Sequence, residues 1–380
     1  MALELNERIA IFAATSGHSG VDRVMRNLVM QMDAWGFGVD LLKIRGHGPE
    51  VEQQGLVRAR VIDLGAAHVN SAFAALVRYL RQQRPRALLT DKDRVNRIAI
   101  LARAIAGVDT RIVVRLGTTV SVNLADRGMV ERMLQRASIR WLYPRAHAVL
   151  VPSRGVAKDL VDYAGLASAH IRVVPSPIVT PRLHELAAAP IDHPWLAADE
   201  PPVILGVGEL GPRKDFATLL RAFARVRAER TCRLIILGRG RKASSLRQLA
   251  AELGLVDQVD LPGFHNNPYA FMRRATLFAM SSRWEGMPVA LIEALACGTA
   301  AVATDCPSGP AEVLAGGDCG ALVPIGDDAA MARAIAYWLD VQPTAVALQR
   351  AVTDYTIEHS TAAYLNAMGL AETPGKQESP

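Results

Sequence analysis

The sequence predicts an α/β protein made of two doubly wound domains, each with a parallel sheet. Three observations carry that prediction. Short apolar runs alternate with helical patterns from the N-terminus, a proline-rich stretch interrupts them between Pro175 and Pro202, and a second alternating series starts at Val203. A chain of 380 residues is also long for one core and suits two domains of about 150 to 200 residues each.

In the first series RIAIFAAT is a strand, residues 21–34 a helix, and GVDLLKI and ARVIDLG strands. Residues 73–83 then form a helix, RALLT a strand, 94–106 a helix, and TRIVVRLG and AHAVLVPS strands. Such alternation implies a sheet covered on both faces, with ligands near the carboxyl ends of its strands. Pro175, Pro177 and Pro181 deny regular helix, and 190–202 is again proline-rich and polar. The second series runs VILGVG, a helix from Phe216, RLIILGRG, QVDLPGF, ATLFAMSS and AAVATD, each strand ending where a loop can open. The expected division is a domain over 1–180, a linker over 181–200, a domain over 201–355, a C-terminal helix over 356–370 packing back on the first domain, and a disordered tail over 371–380.

Composition narrows the function. No apolar stretch reaches the roughly 18 to 20 residues of a membrane span, and MALELNERIAIF lacks a secretory signal pattern, so a cytoplasmic protein is expected. Cys232, Cys297, Cys306 and Cys319 form no Cys-x-x-Cys pair and sit in apolar segments, as reduced structural thiols do. Residues 1–180 carry 25 Lys and Arg against 15 Asp and Glu, whereas 181–380 carry 18 against 22. The basic half favours an anionic lipid or phosphorylated partner over nucleic acid, because its cations are not interleaved with aromatics.

The most informative segment is LFAMSSRWEGMPVALIE, in which Glu285 and Glu293 stand eight residues apart across a helix start. Pro288 suits the first helical position, so Glu285 and Gly286 fall in the preceding turn and Glu293 on the helix. Eight part-helical residues span about 12 Å, roughly the reach from a sugar across a diphosphate to a ribose. Gly286 has no Cβ to block a phosphate, and the helix start offers N–H groups, so a diphosphate is expected there. The alternative is a carboxylate that merely complements the helix dipole.

Further along the second domain, Arg213 and Lys214 precede a helix that Asp215 can cap, and two cations there form a phosphate clamp. Gly206 and Gly208 allow close backbone approach, and Gly238, Gly240 and Gly263 sit at strand ends where a base and ribose can lie against backbone; structural turns explain the last three almost as well. The Gly206-Val207-Gly208 spacing fails the full dinucleotide fingerprint, which needs a third glycine.

In the first domain, Gly17 and Gly20 lie between strand and helix, near enough to the expected cleft to approach the diphosphate or sugar. Arg115 ends a strand as a candidate for acceptor oxygens, with an ordinary ion pair as the alternative. Asp91-Lys92-Asp93 invites a metal reading, but Arg213 and Lys214 already supply positive charge, so no metal and no cofactor are expected. Over 127–145, Arg132, Arg136 and Arg140 recur every four residues while Val130, Met133, Leu134, Ala137 and Trp141 occupy other faces. This basic amphipathic pattern fits either an anionic membrane surface or a helix packed on the sheet with a wet arginine edge.

On these residues the chain resembles family 4 of the retaining glycosyltransferases, most strongly over 203–326. The family's Glu-x7-Glu signature is matched by Glu285 and Glu293, its glycine-proline turn by Gly286, Met287 and Pro288, its phosphate lysine by Lys214, and its N-terminal glycine loop by Gly17 and Gly20. SGPAEVL is similar to a further family block. Two departures are Gly208-Glu209-Leu210 where many members have Gly-Arg-Leu, which leaves Arg213 as substitute, and Arg115 with no histidine after VVRLGTT.

The resemblance implies the GT-B fold of two facing Rossmann-like domains, with Glu285 meeting the donor sugar and Glu293 the ribose. It implies metal-independent transfer of a hexose from a nucleotide diphosphate sugar, UDP-sugar being the expected form. The expected acceptor is a glycan or lipid-linked molecule of cell-envelope polysaccharide or lipopolysaccharide synthesis, with the enzyme cytoplasmic or peripheral on the inner membrane face. A catalytically silent nucleotide-sugar binding module and an NAD-dependent oxidoreductase are the alternatives.

Overall fold

The computed structural model describes residues 8–15, 20–51, 55–125, 127–314 and 319–370. The chain divides into two compact units, 1–178 with 355–380, and 179–354.

Unit 1 is a seven-stranded sheet, entirely parallel, in the order β3-β2-β1-β4-β5-β6-β7. Its strands are β1 (Ile9–Phe12), β2 (Val39–Lys43), β3 (Arg60–Asp63), β4 (Ala87–Asp91), β5 (Arg111–Arg115), β6 (Ala148–Val151) and β7 (Ile171–Val173). Its helices are α1 (Gly20–Ala34), α2 (Phe73–Gln83), α3 (Asp93–Ala106), α4 (Val120–Asn123), α5 (Met129–Leu142) and α6 (Arg154–Ala164). The central strands β1, β4 and β6 are buried at every position, as continuous apolar runs covered on both faces require.

Unit 2 holds α7 (Pro181–Ala188), β8 (Val203–Val207), α8 (Phe216–Glu229), β9 (Arg233–Leu237), α9 (Ala243–Glu252), β10 (Val259–Gly263) and α10 (Pro268–Arg274). It continues through β11 (Leu277–Met280), α11 (Val289–Ala296), β12 (Ala301–Thr304), α12 (Pro310–Val313), β13 (Gly320–Val323), α13 (Asp328–Asp340) and α14 (Ala345–Ala351). Its sheet is parallel, in the order β10-β9-β8-β11-β12-β13. The chain then returns to unit 1 as α15 (Ile357–Ala367), which packs on α1. Strand order reverses between β1 and β4 in one sheet and between β8 and β11 in the other. Those switch points are where connections diverge to opposite faces and leave a crevice at the carboxyl ends of the strands.

Three local expectations need correction. Pro181 does not deny helix: within the expected linker over 181–200 it takes the first position of α7 (Pro181–Ala188), where its missing N–H costs nothing, and the Thr180 side chain caps the Leu183 N–H at 3.2 Å. Pro288 stands one residue before α11, since its ψ of 71° is not helical. Asp215 occupies the N-cap position of α8 in a left-handed conformation, φ 44°, and its carboxylate accepts from the Thr218 hydroxyl at 3.0 Å rather than from a helix N–H.

Candidate functional site

The loop after β8 and the loop after β11 leave adjacent strands at the switch point of unit 2, and they are laced together. The Arg283 N–H donates to the Arg213 carbonyl at 2.8 Å, and the Ser281 hydroxyl to the Lys214 carbonyl at 2.9 Å. Their positions follow from packing below. Gly206 leaves room in β8 for the Phe216 ring, whose Cε1 would lie 2.9 Å from any Cβ there, so α8 seats close on the sheet and fixes the turn carrying Arg213 and Lys214.

At the centre is the Glu285 carboxylate, 3% exposed. Its Oε1 accepts from Lys214 Nζ at 2.7 Å and from the Ser282 hydroxyl at 2.8 Å, while its Oε2 accepts from Arg213 Nη1 at 2.7 Å. Burial pushes this carboxyl up, but the charges of Lys214 and Arg213 and the hydrogen bonds from Lys214 and Ser282 outweigh it, holding the group below its ordinary value and ionised. One carboxylate against two cations leaves the cluster with a net positive charge. Three of about four acceptor sites on the carboxylate are taken. Lys214 is buried, whereas the Arg213 side chain is 39% exposed and marks the side from which solvent, or a ligand, reaches the cluster.

The glycines have structural reasons to be where they are. A Cβ on Gly208 would stand 2.7 Å from Lys214 Cε, so the lysine stem crosses directly over that residue. Gly238, at φ 147°, approaches so closely that its Cβ would lie 1.8 Å from the Gly208 carbonyl oxygen. Gly208, Gly238 and Gly263 thus end three neighbouring strands, linked through Gly208 N–H to Leu237 carbonyl at 2.9 Å and Gly238 N–H to Gly263 carbonyl at 2.8 Å. The turn at Gly286, Met287 and Pro288 is held from beneath by Ser308, whose hydroxyl donates to the carbonyls of Glu285 at 2.7 Å and Gly286 at 3.3 Å. The Val289 N–H bonds back to the Met287 carbonyl at 2.9 Å, so this helix-start donor is already engaged.

Glu293 lies in the second turn of α11, buried, and accepts from the Tyr269 hydroxyl at 3.1 Å; it is not one of the Glu285 carboxylate's partners. Glu209 is exposed. In unit 1, Gly20 is the exposed first residue of α1, and Gly17 lies outside the described residues.

Arg115 departs most from expectation. Its guanidinium is 3% exposed, pairs with Asp91, and donates to the Tyr364 hydroxyl at 2.8 Å and the Ser176 hydroxyl at 3.0 Å. It fastens α15 to the sheet rather than offering itself to an acceptor. Asp91 is thereby occupied, and Asp93 pairs with Arg97 at 3.0 Å; among the described residues no cluster has the makings of a metal site. Cys232, Cys297 and Cys306 are buried free thiols. Burial, aided by Glu293 beside Cys297 and Glu285 beside Cys306, pushes the latter two up to about 12, so they stay protonated and inert.

Sequence reasoning passed over Ser282 and Tyr269, and weighed Asp91 only as a metal candidate, not as the partner of Arg115. Ser282 had a weak signal, a hydroxyl at the end of a strand entering the loop. Tyr269 and Asp91 had none that spacing could supply, because their partners are distant in sequence.

Residues 18–182 match the family described as Glycosyltransferase Family 4, and residues 190–355 match that described as Glycosyl transferases group 1. Among curated relatives, an N-acetylgalactosamine-N,N'-diacetylbacillosaminyl-diphospho-undecaprenol 4-alpha-N-acetylgalactosaminyltransferase of Campylobacter jejuni is 34% identical over 248 residues, 65% of this chain and 65% of that protein. The lipopolysaccharide core biosynthesis glycosyltransferase LpsE of Rhizobium meliloti is 33% identical over 181 residues, 48% of this chain and 50% of that protein. The match thus spans just under two thirds of the one relative and half of the other. In solved structures, Anabaena HepE in complex with UDP and glucose superposes with a TM-score of 0.76 at 16% identity, covering 96% of this chain and 100% of that one. The lipopolysaccharide outer core galactosyltransferase WaaB, apo form, gives 0.73 at 19% identity, covering 95% and 99%. At such identities the likeness concerns the fold, which is GT-B with two parallel-sheet Rossmann-like units.

Proposed function

From a chain whose two halves match these families, and so support a glycosyltransferase of the family-4 type, we propose an enzyme that moves a hexose from a nucleotide diphosphate sugar to a glycan or lipid-linked acceptor. The donor is a UDP-sugar, the anomeric configuration is retained, no metal is needed, and the product belongs to cell-envelope polysaccharide or lipopolysaccharide synthesis. The names of the Campylobacter and Rhizobium relatives and the UDP bound to HepE support that direction.

The observation that carries the reading is the pair of cations, Arg213 and Lys214, gripping one buried carboxylate at the switch point of unit 2. Among the described residues Glu285 is the only ion-pair partner of Lys214, which leaves two of three ammonium donors for a ligand. Together with Arg213 they meet the charge that grows on the departing diphosphate. The acceptor hydroxyl attacks the anomeric carbon on the face the diphosphate leaves. The bond to the phosphate oxygen breaks as the new glycosidic bond forms, and the hydroxyl proton passes to that departing oxygen, so no protein nucleophile is used.

Glu285 aims both cations and keeps one acceptor site for a sugar hydroxyl. Glu293 holds the ribose, Gly286, Met287 and Pro288 shape the diphosphate's bed, and Gly208, Gly238 and Gly263 admit base and ribose close to the backbone. The test is Glu285→Ala, assayed against a nucleotide-sugar selected by thermal shift. Transfer should fall about a hundredfold or more, as when preorganised charge is lost from a site. Near-normal transfer by this variant would refute the assignment, and donor binding without nucleotide release across many acceptors would favour a silent binding module.

A further inference from the structure

We infer that Ser308 is a positioning residue for the transfer: its hydroxyl fixes two peptide planes in the turn after β11, so that the Met287 N–H is aimed at the donor diphosphate. This deepens the function proposed above and rests on it.

The loop after β12 is tied to that turn at successive points. The Thr304 hydroxyl donates to the Ser282 carbonyl, and the Ser308 hydroxyl to the carbonyls of Glu285 at 2.7 Å and Gly286 at 3.3 Å. The peptides concerned are trans, and in a planar trans peptide the C=O and the N–H point opposite ways. Two carbonyls drawn to one hydroxyl therefore turn the N–H groups of the same two peptides, those of Gly286 and Met287, toward the far side. Consecutive N–H groups facing one side suit an anionic oxygen. Of the groups that follow, Pro288 has no N–H and that of Val289 is engaged by the Met287 carbonyl at 2.9 Å. The Met287 N–H donates to no described residue and stands ready for a phosphate oxygen.

The backbone of Ser308 supports a role beyond filling space. It is left-handed, φ 66°, a conformation that is unfavourable for a residue with a Cβ. Glycine would adopt it freely but would supply no hydroxyl. The surroundings hold the strain in place: Ser308 is 9% exposed, and the next residue, Gly309, lies so near Pro288 that a Cβ would stand 2.4 Å from its Cδ. Strain kept in this way is found where a geometry is preorganised for a ligand. Because the Ser308 hydroxyl is engaged by the two carbonyls, it acts on the donor only through their peptides.

The test pairs Ser308→Gly with Ser308→Ala. The first removes the hydroxyl and relieves the backbone, two opposed effects on stability, so its melting temperature should stay within about 4 °C of wild type. The second removes the hydroxyl, keeps the strain and should melt lower. With the nucleotide-sugar selected by thermal shift, both should lose kcat by about tenfold to a hundredfold while donor KM changes less than about threefold, because the N–H counts most when charge grows on the departing diphosphate. An equal loss in the two assigns it to the hydroxyl they share in lacking, not to backbone freedom or to lowered stability. Wild-type kcat in Ser308→Gly, or a loss confined to one variant, overturns the positioning role. Glu285→Ala in the same assay tells the two failures apart. Normal transfer by Ser308→Gly beside a crippled Glu285→Ala overturns the role of Ser308 alone, and normal transfer by both overturns the proposed function with it.

Discussion

Lys214→Met removes the ammonium from the Glu285 cluster while keeping an unbranched stem to lie over Gly208, where the lysine Cε now sits 2.7 Å from the position a Cβ would take. Charge is therefore lost without a cavity. Glu285, 3% exposed, keeps Ser282 and Arg213 as partners, and Arg213 is solvent-screened at 39% exposure. Stranding a buried charge costs about 3–5 kcal/mol when no partner remains; with Arg213 still in place, about 2–3 kcal/mol is expected. In a unit of this size that lowers the melting temperature by roughly 4–12 °C, readable by calorimetry. Losing one preorganised donor at a site of developing charge should reduce kcat by about a hundredfold to a thousandfold, with a smaller change in donor KM because the charge grows chiefly in the transition state. Adding Glu285→Gln should restore part of the stability, since a neutral amide leaves no stranded anion, and none of the turnover. A variant with wild-type melting and kcat, or a double-mutant cycle in which the two stability losses simply add, would refute the coupling of Lys214 to Glu285.

Three further outcomes are expected. Because the folded Glu285 carboxyl is held below its ordinary value of 4.5, its contribution to stability is complete above that value and is lost as pH falls through the depressed one; melting curves of wild type and Glu285→Gln should converge on acidification, and a constant gap between them would contradict this. Gly238→Ala, which sets a Cβ 1.8 Å from the Gly208 carbonyl oxygen at φ 147°, should cost more than about 3 kcal/mol, whereas Gly254→Ala, at φ 72° with open space around it, should cost about 1 kcal/mol. Equal melting of the two variants would deny the close backbone approach. Arg115→Met strands Asp91 and should destabilise unit 1 by about 3–5 kcal/mol without altering the response to nucleotide-sugar. Unchanged melting with a raised acceptor KM would return Arg115 to the acceptor side.

Legibility followed the range of the interactions involved. The helix over 73–83 and the buried runs of β1, β4 and β6 were readable because periodicity and continuous apolarity are local and report how many faces are covered. Pro181 misled because proline breaks a helix interior yet favours a helix start; the Thr180-Pro181 pair held the distinguishing signal. Arg115 misled for a different reason. A cation at a strand end looks the same whether it meets a ligand or a buried carboxylate, and its partner Tyr364 comes from a helix 249 positions later. The arginine spacing of α5 was visible in the chain, but which side of that helix meets the protein was not, since the periodicity of an amphipathic helix is the same whichever way its apolar stripe faces.

By itself the sequence determined two parallel-sheet α/β units, the loops in which chemistry-bearing side chains fall, and the nearness of Arg213 to Lys214, all consequences of neighbours along the chain. Only the tertiary structure decided that both cations converge on Glu285, some 70 positions away, that Arg115 is spent on Asp91, and that the apolar stripe of α5 points outward. Pairing and burial depend on what surrounds a side chain in space, and that is set when strand order brings β8 beside β11, a choice that no short stretch of residues encodes.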